Sequence, residues 1–279
     1  MYLQESSGKA MSKILLVITT YNQSHYTKLC FESLKKLDDN IDVLVVDDYS
    51  TDDTVDICKE YGYRVITKDE PKGLTDSWNI GYREFLGTTE EGTDYDYFIL
   101  ANNDILIPKG AIGELVSTFK KWNSSLVVPM STEYGVGHNL TQNVNNYYHG
   151  LEVDEPEDYQ NVQDEILKVK EEMRNSNNLY LCDPARMKMF NGFFFMMNRD
   201  ITIYEQNEDE LFKTDKIMTK NEDQFNWDNL ITNDDFSMLC KTSFVFHYKG
   251  VSTFKVFDNY NKISNDIPEW KRQRELRGG

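Results

Sequence analysis

Short apolar segments alternate with amphipathic ones over the first 131 residues, and this alternation constrains the fold more than any other feature of the chain. Compact apolar runs predict buried strands, and apolar residues at helical spacing predict helices. Because strictly alternating strands and helices build parallel sheets with right-handed crossovers, we expect an α/β fold with a mostly parallel sheet. The predicted strands are 14–20, 41–46, 63–68, 96–101 and 125–130, and the predicted helices are 24–37, 53–62, 74–87 and about 110–122.

Residues at the ends of the predicted helices fit this interpretation. Ser24 stands at the start of the first helix, where a serine side chain can accept a hydrogen bond from the backbone. Gly62 and Gly87 close the second and third helices, a position where glycine is common. We therefore expect a Ser24 cap and two glycine-terminated helices.

The second half of the chain has a different composition and a different pattern of apolar residues. Residues 131–165 are polar and rich in Asn, Tyr and acidic residues, with a helix predicted at about 158–174. Apolar segments at 191–200 and 243–254 predict two further strands, joined by acidic helical material. We interpret the chain as one continuous domain whose second half completes the sheet. It is divided into an N-terminal extension (1–12), a first half (13–131), a second half (132–258) and a charged tail (259–279).

Charge and composition exclude several classes of function. The net charge of −17 argues against nucleic acid as a partner, since a phosphate backbone is bound by clustered Lys and Arg. The four cysteines form no C-x-x-C pair, so we expect free thiols rather than a zinc site. The N-terminus has no apolar run of signal-peptide length, and no segment approaches the ~18 apolar residues of a transmembrane helix. A cytoplasmic protein is the simplest expectation.

Polar segments follow three of the predicted strands. They read TTYNQS (19–24), DDYST (47–51) and NND (102–104). Ligands of α/β sheets gather at the carboxyl ends of the strands, so these segments are expected to face one crevice. From the residues of DDYST alone, a turn followed by a helix cap is the favoured interpretation.

A diphosphate in such a crevice would need its charge neutralised. The chain has neither a Walker-type loop nor a G-x-G-x-x-G turn, so a divalent cation held by carboxylates is the economical alternative. NND offers such a site, because residues 102 and 104 project to the same side of an extended segment. Asn-Asp pairs also form ordinary polar turns, and both interpretations stay open at this point.

Taken together, seven motifs resemble the GT-A glycosyltransferases of family 2. The resemblance covers about residues 13–254, and the order of the motifs is more specific than any one of them. They are VITTYN, VLVVDDYSTDDT, GLTDSWNIGY, the DxD-like NND, NGFFFMMNRD, NEDQFNW and SFVFHYKG. The resemblance implies a Rossmann-like GT-A fold, with a mostly parallel sheet and helices on both of its faces. It also implies a nucleotide-sugar-binding half (13–131) and an acceptor-binding, catalytic half (132–258). It also implies a UDP-, dTDP- or GDP-linked sugar donor, a glycan or other hydroxyl acceptor, and Mn²⁺ or Mg²⁺ as cofactor.

Carried over by position, the resemblance implies roles for residues around the nucleotide. Thr20 and Tyr21 would line the nucleobase pocket, and Asp48 would hydrogen-bond the base or ribose. Gly73 would allow close approach of the backbone to the nucleotide, with Lys72 a possible charge partner of the nucleotide.

The resemblance also implies a metal site in NND. Asp104 would be the metal ligand, Asn102 would occupy the first position of the DxD-like motif, and Asn103 would touch ribose or sugar. Many family members have aspartate at the position of Asn102, and a neutral amide is expected to weaken metal affinity. His247 would complete the site, although a histidine among aromatic residues is also typical of a packed core.

The catalytic base is expected in NEDQFNW. Sugar transfer needs a base for the proton of the acceptor hydroxyl, and a carboxylate beside a second acid and aromatic residues can have a suitably raised pKa. The resemblance assigns the base to Asp223, with Glu222 as second candidate and Trp227 as a platform for the acceptor sugar. Asp234 and Asp235 form a rival acidic pair.

We therefore interpret the chain as a metal-dependent and inverting glycosyltransferase. One alternative is a nucleotidyltransferase, which would normally carry a glycine-rich basic loop that TTYNQS lacks. Another is a non-catalytic nucleotide- or carbohydrate-binding protein of the same fold, which the neutral Asn102 favours.

Overall fold

The computed structural model describes residues 12–37, 41–87, 95–122, 124–132, 142–149, 151, 153, 155–176, 182–187, 190–198, 210–212 and 237–248. The strands in this part of the chain are β1 (Ile14–Thr20), β2 (Ile41–Asp47), β3 (Arg64–Thr67), β4 (Tyr97–Asn102), β5 (Ile105–Leu106), β6 (Leu126–Ser131), β7 (Ala185–Met187), β8 (Phe194–Asn198) and β9 (Ser237–His247). The helices are α1 (Ser24–Leu34), α2 (Thr54–Glu60), α3 (Leu74–Leu86), α4 (Ala111–Lys121) and α5 (Tyr159–Asn175).

All of these strands belong to one mixed sheet. Its order is β3-β2-β1-β4-β8-β6-β9-β5, and β7 pairs with β9. The N-terminal half of the chain supplies the first four strands of this order. These strands, β3, β2, β1 and β4, are parallel to one another. β8 is antiparallel to both β4 and β6, whereas β6 and β9 are parallel. The parallel β3-β2-β1-β4 unit is the part that the alternating sequence predicts.

Helices cover both faces of the sheet, as predicted, because successive side chains of a strand point to opposite sides. Leu15 and Val17 of β1 face the core that contains α3 and α5. Leu16 and Ile18 face the core that contains α1, α2 and α4. Gly81 lets α3 lie close to β1, since a Cβ atom there would be 2.6 Å from a methyl carbon of Val17.

The structure corrects the predicted position of the last strand. β9 begins at Ser237 instead of residue 243 and ends at His247, and all of its residues are buried. The polar residues at 241–243 hid its first part, because they interrupt the apolar run. There the β6–β9 register shifts between Pro129 and Met130. The Gln163 side chain donates to the Thr242 carbonyl and accepts from the Phe244 N–H, which satisfies the backbone at the irregularity.

The predicted Ser24 cap of α1 is wrong. Ser24 is the first helical residue, and no side chain of the preceding residue caps the helix. Instead, the Asp52 carboxylate accepts a hydrogen bond from the Ser24 N–H at 3.1 Å. The cap therefore comes from the turn before α2, a contact that local sequence does not reveal.

All four cysteines lie in the described residues, and none forms a disulfide. Burial is the main cause that raises the pKa of the Cys58 thiol to about 12, and it also raises the pKa of Cys30 and Cys240. These three thiols are therefore protonated at neutral pH and serve as packing residues. Among the described residues, no helix has the length and apolar composition that crossing a bilayer requires.

Candidate functional site

The carboxyl ends of β1, β2 and β4 meet at one edge of the sheet. Thr20 lies opposite Asp47 in the β1–β2 pair, and Thr19 lies opposite Asn102 in the β1–β4 pair. The polar segments that follow these strands are therefore neighbours in space. This edge is the candidate functional site.

Asp47 holds the turns after β1 and β2 together. Its side chain is fully buried, and its Oδ1 accepts hydrogen bonds from the hydroxyls of Thr20, at 3.0 Å, and Ser50. Its Oδ2 accepts from the Ser50 N–H at 3.0 Å. Ser50 Oγ in turn accepts from the Asn22 N–H at 2.7 Å. The first acid of DDYST is thus a structural residue, and it accepts the proton that the Thr20 hydroxyl has to donate.

Asp48, the second acid, fixes the loop that leads into α3. Its Oδ1 accepts from the Lys72 N–H at 2.8 Å, and its Oδ2 accepts from the Gly73 N–H at 2.9 Å. Gly73 has a φ of 88° and precedes the first residue of α3, a conformation that glycine adopts without a steric penalty. Asp48 therefore determines the path of the backbone at residues 72 and 73.

Lys68 is the charge partner of Asp48. Its side chain is 4% exposed, and Nζ lies 2.8 Å from Asp48 Oδ1 and 2.9 Å from Asp76 Oδ2. Nζ also donates to the Gly73 carbonyl at 2.9 Å. Lys72, which is predicted as a charge partner of the nucleotide, is exposed, and its ammonium lies 3.6 Å from Oε1 of the exposed Glu70. Lys68 and Asp76 are the residues that sequence reasoning missed, and the available signal was the position of Lys68 directly after β3.

Asn103 points from the end of β4 toward α1. It is 3% exposed, and its Nδ2 donates to Thr27 Oγ1 at 2.9 Å and to the Asn22 carbonyl at 3.2 Å. These bonds join the end of β4 to the start of α1. They fix the orientation of the Asn103 amide.

Three polar atoms around the end of β4 are buried without a hydrogen-bond partner. They are Asn102 Oδ1, Asp104 Oδ1 and His247 Nδ1. His247 Nε2 lies 3.4 Å from Asp104 Oδ1, and the two groups are not aligned for a hydrogen bond. Since buried polar groups are nearly always paired, these three atoms are candidates to hold a ligand. An amide oxygen, a carboxylate and an imidazole are suitable ligands for a divalent transition metal.

His247 is held beside Asp104 by the sheet. It lies opposite Ile105 in the β5–β9 pair, and the Tyr248 N–H donates to the Asp104 carbonyl at 2.9 Å. The imidazole also stacks on Phe193, with ring centres 4.3 Å apart. Within the described residues, no three His, Cys, Asp or Glu side chains are grouped to hold a metal, so Asn102 is the third candidate ligand.

Of the remaining predicted residues, the structure describes one and leaves the others outside its described ranges. Tyr21 is partly exposed at the end of β1. Asp223, Glu222, Trp227 and the rival pair Asp234 and Asp235 lie outside the described residues.

Comparisons with known proteins agree with this fold. The model of the family described as "Glycosyl transferase family 2" matches residues 15–204, more than half of the chain. A 92-residue segment is 32% identical to "Glycosyltransferase GlyA" of Streptococcus pneumoniae serotype 4, but it covers 31% of this chain and only 13% of that protein.

Two solved structures share the fold at low sequence identity. The mannosyltransferase PcManGT of Pyrobaculum calidifontis, solved with GDP-Man and Mn²⁺, is 13% identical with a TM-score of 0.55, over 96% of this chain and 70% of that one. S. aureus TarS 1-349 is 13% identical with a TM-score of 0.54, over 92% of this chain and 67% of that one. The strand order, the polar sheet edge and the family match together place this chain in glycosyl transferase family 2, with the GT-A fold.

Proposed function

We propose that the protein transfers a sugar from a nucleoside-diphosphate sugar to a hydroxyl group of an acceptor, with a glycan as the expected acceptor class and inversion at the anomeric carbon. The observation that carries this proposal is the group of buried, unpartnered ligand atoms of Asn102, Asp104 and His247 beside the carboxyl ends of β1 and β2. Membership of the family supports the reaction class.

The donor would lie along the edge formed by β1, β2 and β4. Tyr21 and Asp48 are the candidate contacts of the nucleoside. A carboxylate has about four acceptor positions, and three of those of Asp48 are used by Lys72 N–H, Gly73 N–H and Lys68. One position is left for a ribose hydroxyl or a base N–H. Asp48 thus combines the positioning of the 72–73 backbone with a single ligand contact.

Asn102, Asp104 and His247 would hold the divalent cation. PcManGT was solved with Mn²⁺ and GDP-Man, and GalNAc-T7, which has a TM-score of 0.54, was solved with UDP, GalNAc and Mn²⁺, so Mn²⁺ is the first candidate. The chemistry that a bound ion supplies is neutralisation of the charge that develops on the departing diphosphate. Asp104 brings the one formal negative charge of the three ligands, which makes it the main determinant of affinity.

Asp223 is proposed as the general base and Glu222 as its neighbour, with Trp227 against the acceptor sugar. The acceptor hydroxyl would lose its proton to Asp223 as its oxygen attacks the anomeric carbon from the face opposite the diphosphate. General-base assistance is worth about 10²–10⁴-fold in rate. A location in the cytoplasm stays a prediction from the sequence.

The second candidate function is a nucleotide- or carbohydrate-binding protein without catalysis. The neutral Asn102 favours it, because a site with one carboxylate binds a cation more weakly than a site with two. The family match favours transfer over the nucleotidyltransferase alternative.

A donor screen followed by two matched substitutions tests the proposal. UDP-, dTDP- and GDP-sugars are incubated with the protein and Mn²⁺, and release of nucleoside diphosphate is measured with and without glycan acceptors. For the donor that is turned over, Asp223→Asn should lower transfer by about 10²–10⁴-fold while donor affinity stays unchanged.

Asp235→Asn is the matched control and should be much milder. If Asp235→Asn abolishes transfer and Asp223→Asn does not, the base has been assigned to the wrong pair. Donor binding without turnover under all conditions would favour the non-catalytic alternative.

A further inference from the structure

Tyr49 presents a large aromatic side chain to solvent. Among the described residues it is the one large hydrophobic side chain classed as exposed, with 46% of its surface accessible. Its side chain makes no hydrogen bond, ion pair or ring contact with the rest of the described chain. Nearly half of the surface of this side chain is therefore accessible to a ligand.

The backbone of Tyr49 is strained. Its φ is 66°, in the left-handed region that crowds the Cβ atom of a non-glycine residue. Among the described residues, the other non-glycine residues with positive φ are Asn22 and Gln23, in the turn after β1. The strained positions are therefore confined to two adjacent turns at the candidate site. Strain of this kind concentrates at functional sites, where the surrounding structure has to enforce it.

Hydrogen bonds on both sides of Tyr49 enforce the strain. The Asp48 N–H donates to the Thr20 carbonyl at 2.8 Å, and the Ser50 N–H donates to Asp47 Oδ2 at 3.0 Å. The Asp48 carboxylate is fixed to Lys72 and Gly73. Tyr49 is thus a single residue presented between two anchored neighbours, which fixes its backbone before any ligand arrives.

We propose that Tyr49 is a specificity-determining residue whose ring stacks on the nucleobase of the donor. This inference rests on the proposed function and specifies how its nucleotide is recognised. Tyr49 directly follows Asp48, at the edge where the nucleoside would lie. The Thr20 hydroxyl is occupied by Asp47, and three acceptor positions of Asp48 are occupied by the protein. Asp48 keeps one acceptor position for the edge of a base, and the Tyr49 ring can contact its face.

The test compares three substitutions in the full chain. Dissociation constants for UDP, dTDP and GDP are measured with Mn²⁺ by calorimetry. Tyr49→Asn removes the ring but tolerates the left-handed backbone, and it should weaken the best-bound nucleotide by about 5- to 100-fold, the range of one base–aromatic stack. Tyr49→Phe keeps the ring and should stay within about threefold of the wild-type chain.

Two further measurements exclude a purely structural role. Tyr49→Gly should have a melting temperature no lower than that of the wild-type chain, because glycine relieves the strained φ, while its nucleotide affinity falls as in Tyr49→Asn. The ratio of UDP affinity to GDP affinity should also change in Tyr49→Asn and Tyr49→Gly, since uracil and guanine offer faces of different size to the ring.

Each contrary outcome has a distinct meaning. Unchanged nucleotide affinities in Tyr49→Asn overturn the inference, and the nucleotide binding of the wild-type chain would still support the proposed function. A raised KM for the acceptor with unchanged nucleotide affinity also overturns it and assigns the ring to the acceptor. If the wild-type chain binds none of the three nucleotides, the proposed function fails, and the role of Tyr49 fails with it.

Discussion

Asp47 and Asp48 are adjacent carboxylates with different roles, and the difference is set by where their partners lie. Asp47 bonds to the turn that it belongs to and to Thr20, within the β1–β2 pair. Asp48 reaches across to the loop before α3 and to a buried ammonium group. Asp47 links the ends of β1 and β2, and Asp48 links the end of β2 to the backbone at Gly73.

Replacing Lys68 should be far more damaging than replacing Lys72. Lys68→Met removes the ammonium group between Asp48 and Asp76 and leaves a buried carboxylate uncompensated, which should cost about 3 kcal/mol of unfolding free energy. Lys72→Met is the matched control. Its ammonium makes an exposed pair with Glu70, so its loss should cost below about 1 kcal/mol. Urea denaturation at neutral pH measures both, and equal losses would contradict the network described for Lys68.

The sequence did not predict the directions in which individual side chains point. The sequence correctly indicated that residues 19–24, 47–51 and 102–104 share one edge, because strand order and polarity are local signals. It did not indicate that Lys68, and not the nearby Lys72, forms the buried ion pair with Asp48. It also could not show that Asn103 points toward Thr27.

Asp52 joins two helices that are distant in sequence. Its carboxylate accepts from the Ser24 N–H at the start of α1 and from the Thr54 N–H at the start of α2. Partial burial raises the pKa of Asp52, but hydrogen bonds from the Thr54 hydroxyl and from the backbone N–H groups outweigh it and hold the pKa below the ordinary value of 3.8. The two helix N-termini thus stabilise the charged form.

Asp52→Ala should lower the free energy of unfolding by about 1–2 kcal/mol at pH 7, the scale of a lost helix cap. Because the folded pKa of Asp52 lies below its unfolded value, its contribution is fully present above about pH 3.8 and is lost as pH falls through the folded pKa. The difference between wild type and variant should therefore shrink toward pH 3. Urea titrations at several pH values measure it, and a difference that grows on acidification would contradict this role.

Elements made by local patterns were predicted well, and those fixed by distant contacts were not. β1 spans the predicted residues, and α3 ends one residue before its predicted limit, since both follow clear periodicities. The short segment 210–212 had no such signal. It is held by Asn79, whose amide accepts from the Leu211 and Phe212 N–H groups and donates to the Phe212 carbonyl. A buried asparagine that binds a segment from the other half of the chain cannot be recognised from its neighbours in sequence.

The sheet of the whole molecule divides into a part that sequence predicts and a part that it does not. The parallel unit β3-β2-β1-β4 follows from alternating strands and helices. The insertion of β8 between β4 and β6, antiparallel to both, follows from long-range pairing alone. This second part has a direct consequence for the site, because it brings His247 at the end of β9 to Asp104 after β4.

The charge of the whole molecule makes cation dependence a sharp prediction. A chain with a net charge of −17 and no glycine-rich phosphate loop repels a diphosphate, so binding should require neutralisation at Asn102, Asp104 and His247. With Mn²⁺, the nucleotide that binds best among UDP, dTDP and GDP should stabilise the fold by about 2.7 kcal/mol at 100 times its dissociation constant. That stabilisation corresponds to a rise of several degrees in melting temperature. In EDTA the rise should disappear.

Two opposite substitutions make this thermal-shift measurement specific to the site. Asp104→Asn removes the one carboxylate of the three ligands and should abolish the Mn²⁺-dependent part of the shift. Asn102→Asp adds a second carboxylate and should lower the Mn²⁺ concentration needed for half of the shift, because a second negative charge strengthens cation binding. Equal stabilisation by the nucleotide in EDTA and in Mn²⁺ would mean that the buried atoms of Asn102, Asp104 and His247 serve the fold instead of a cation.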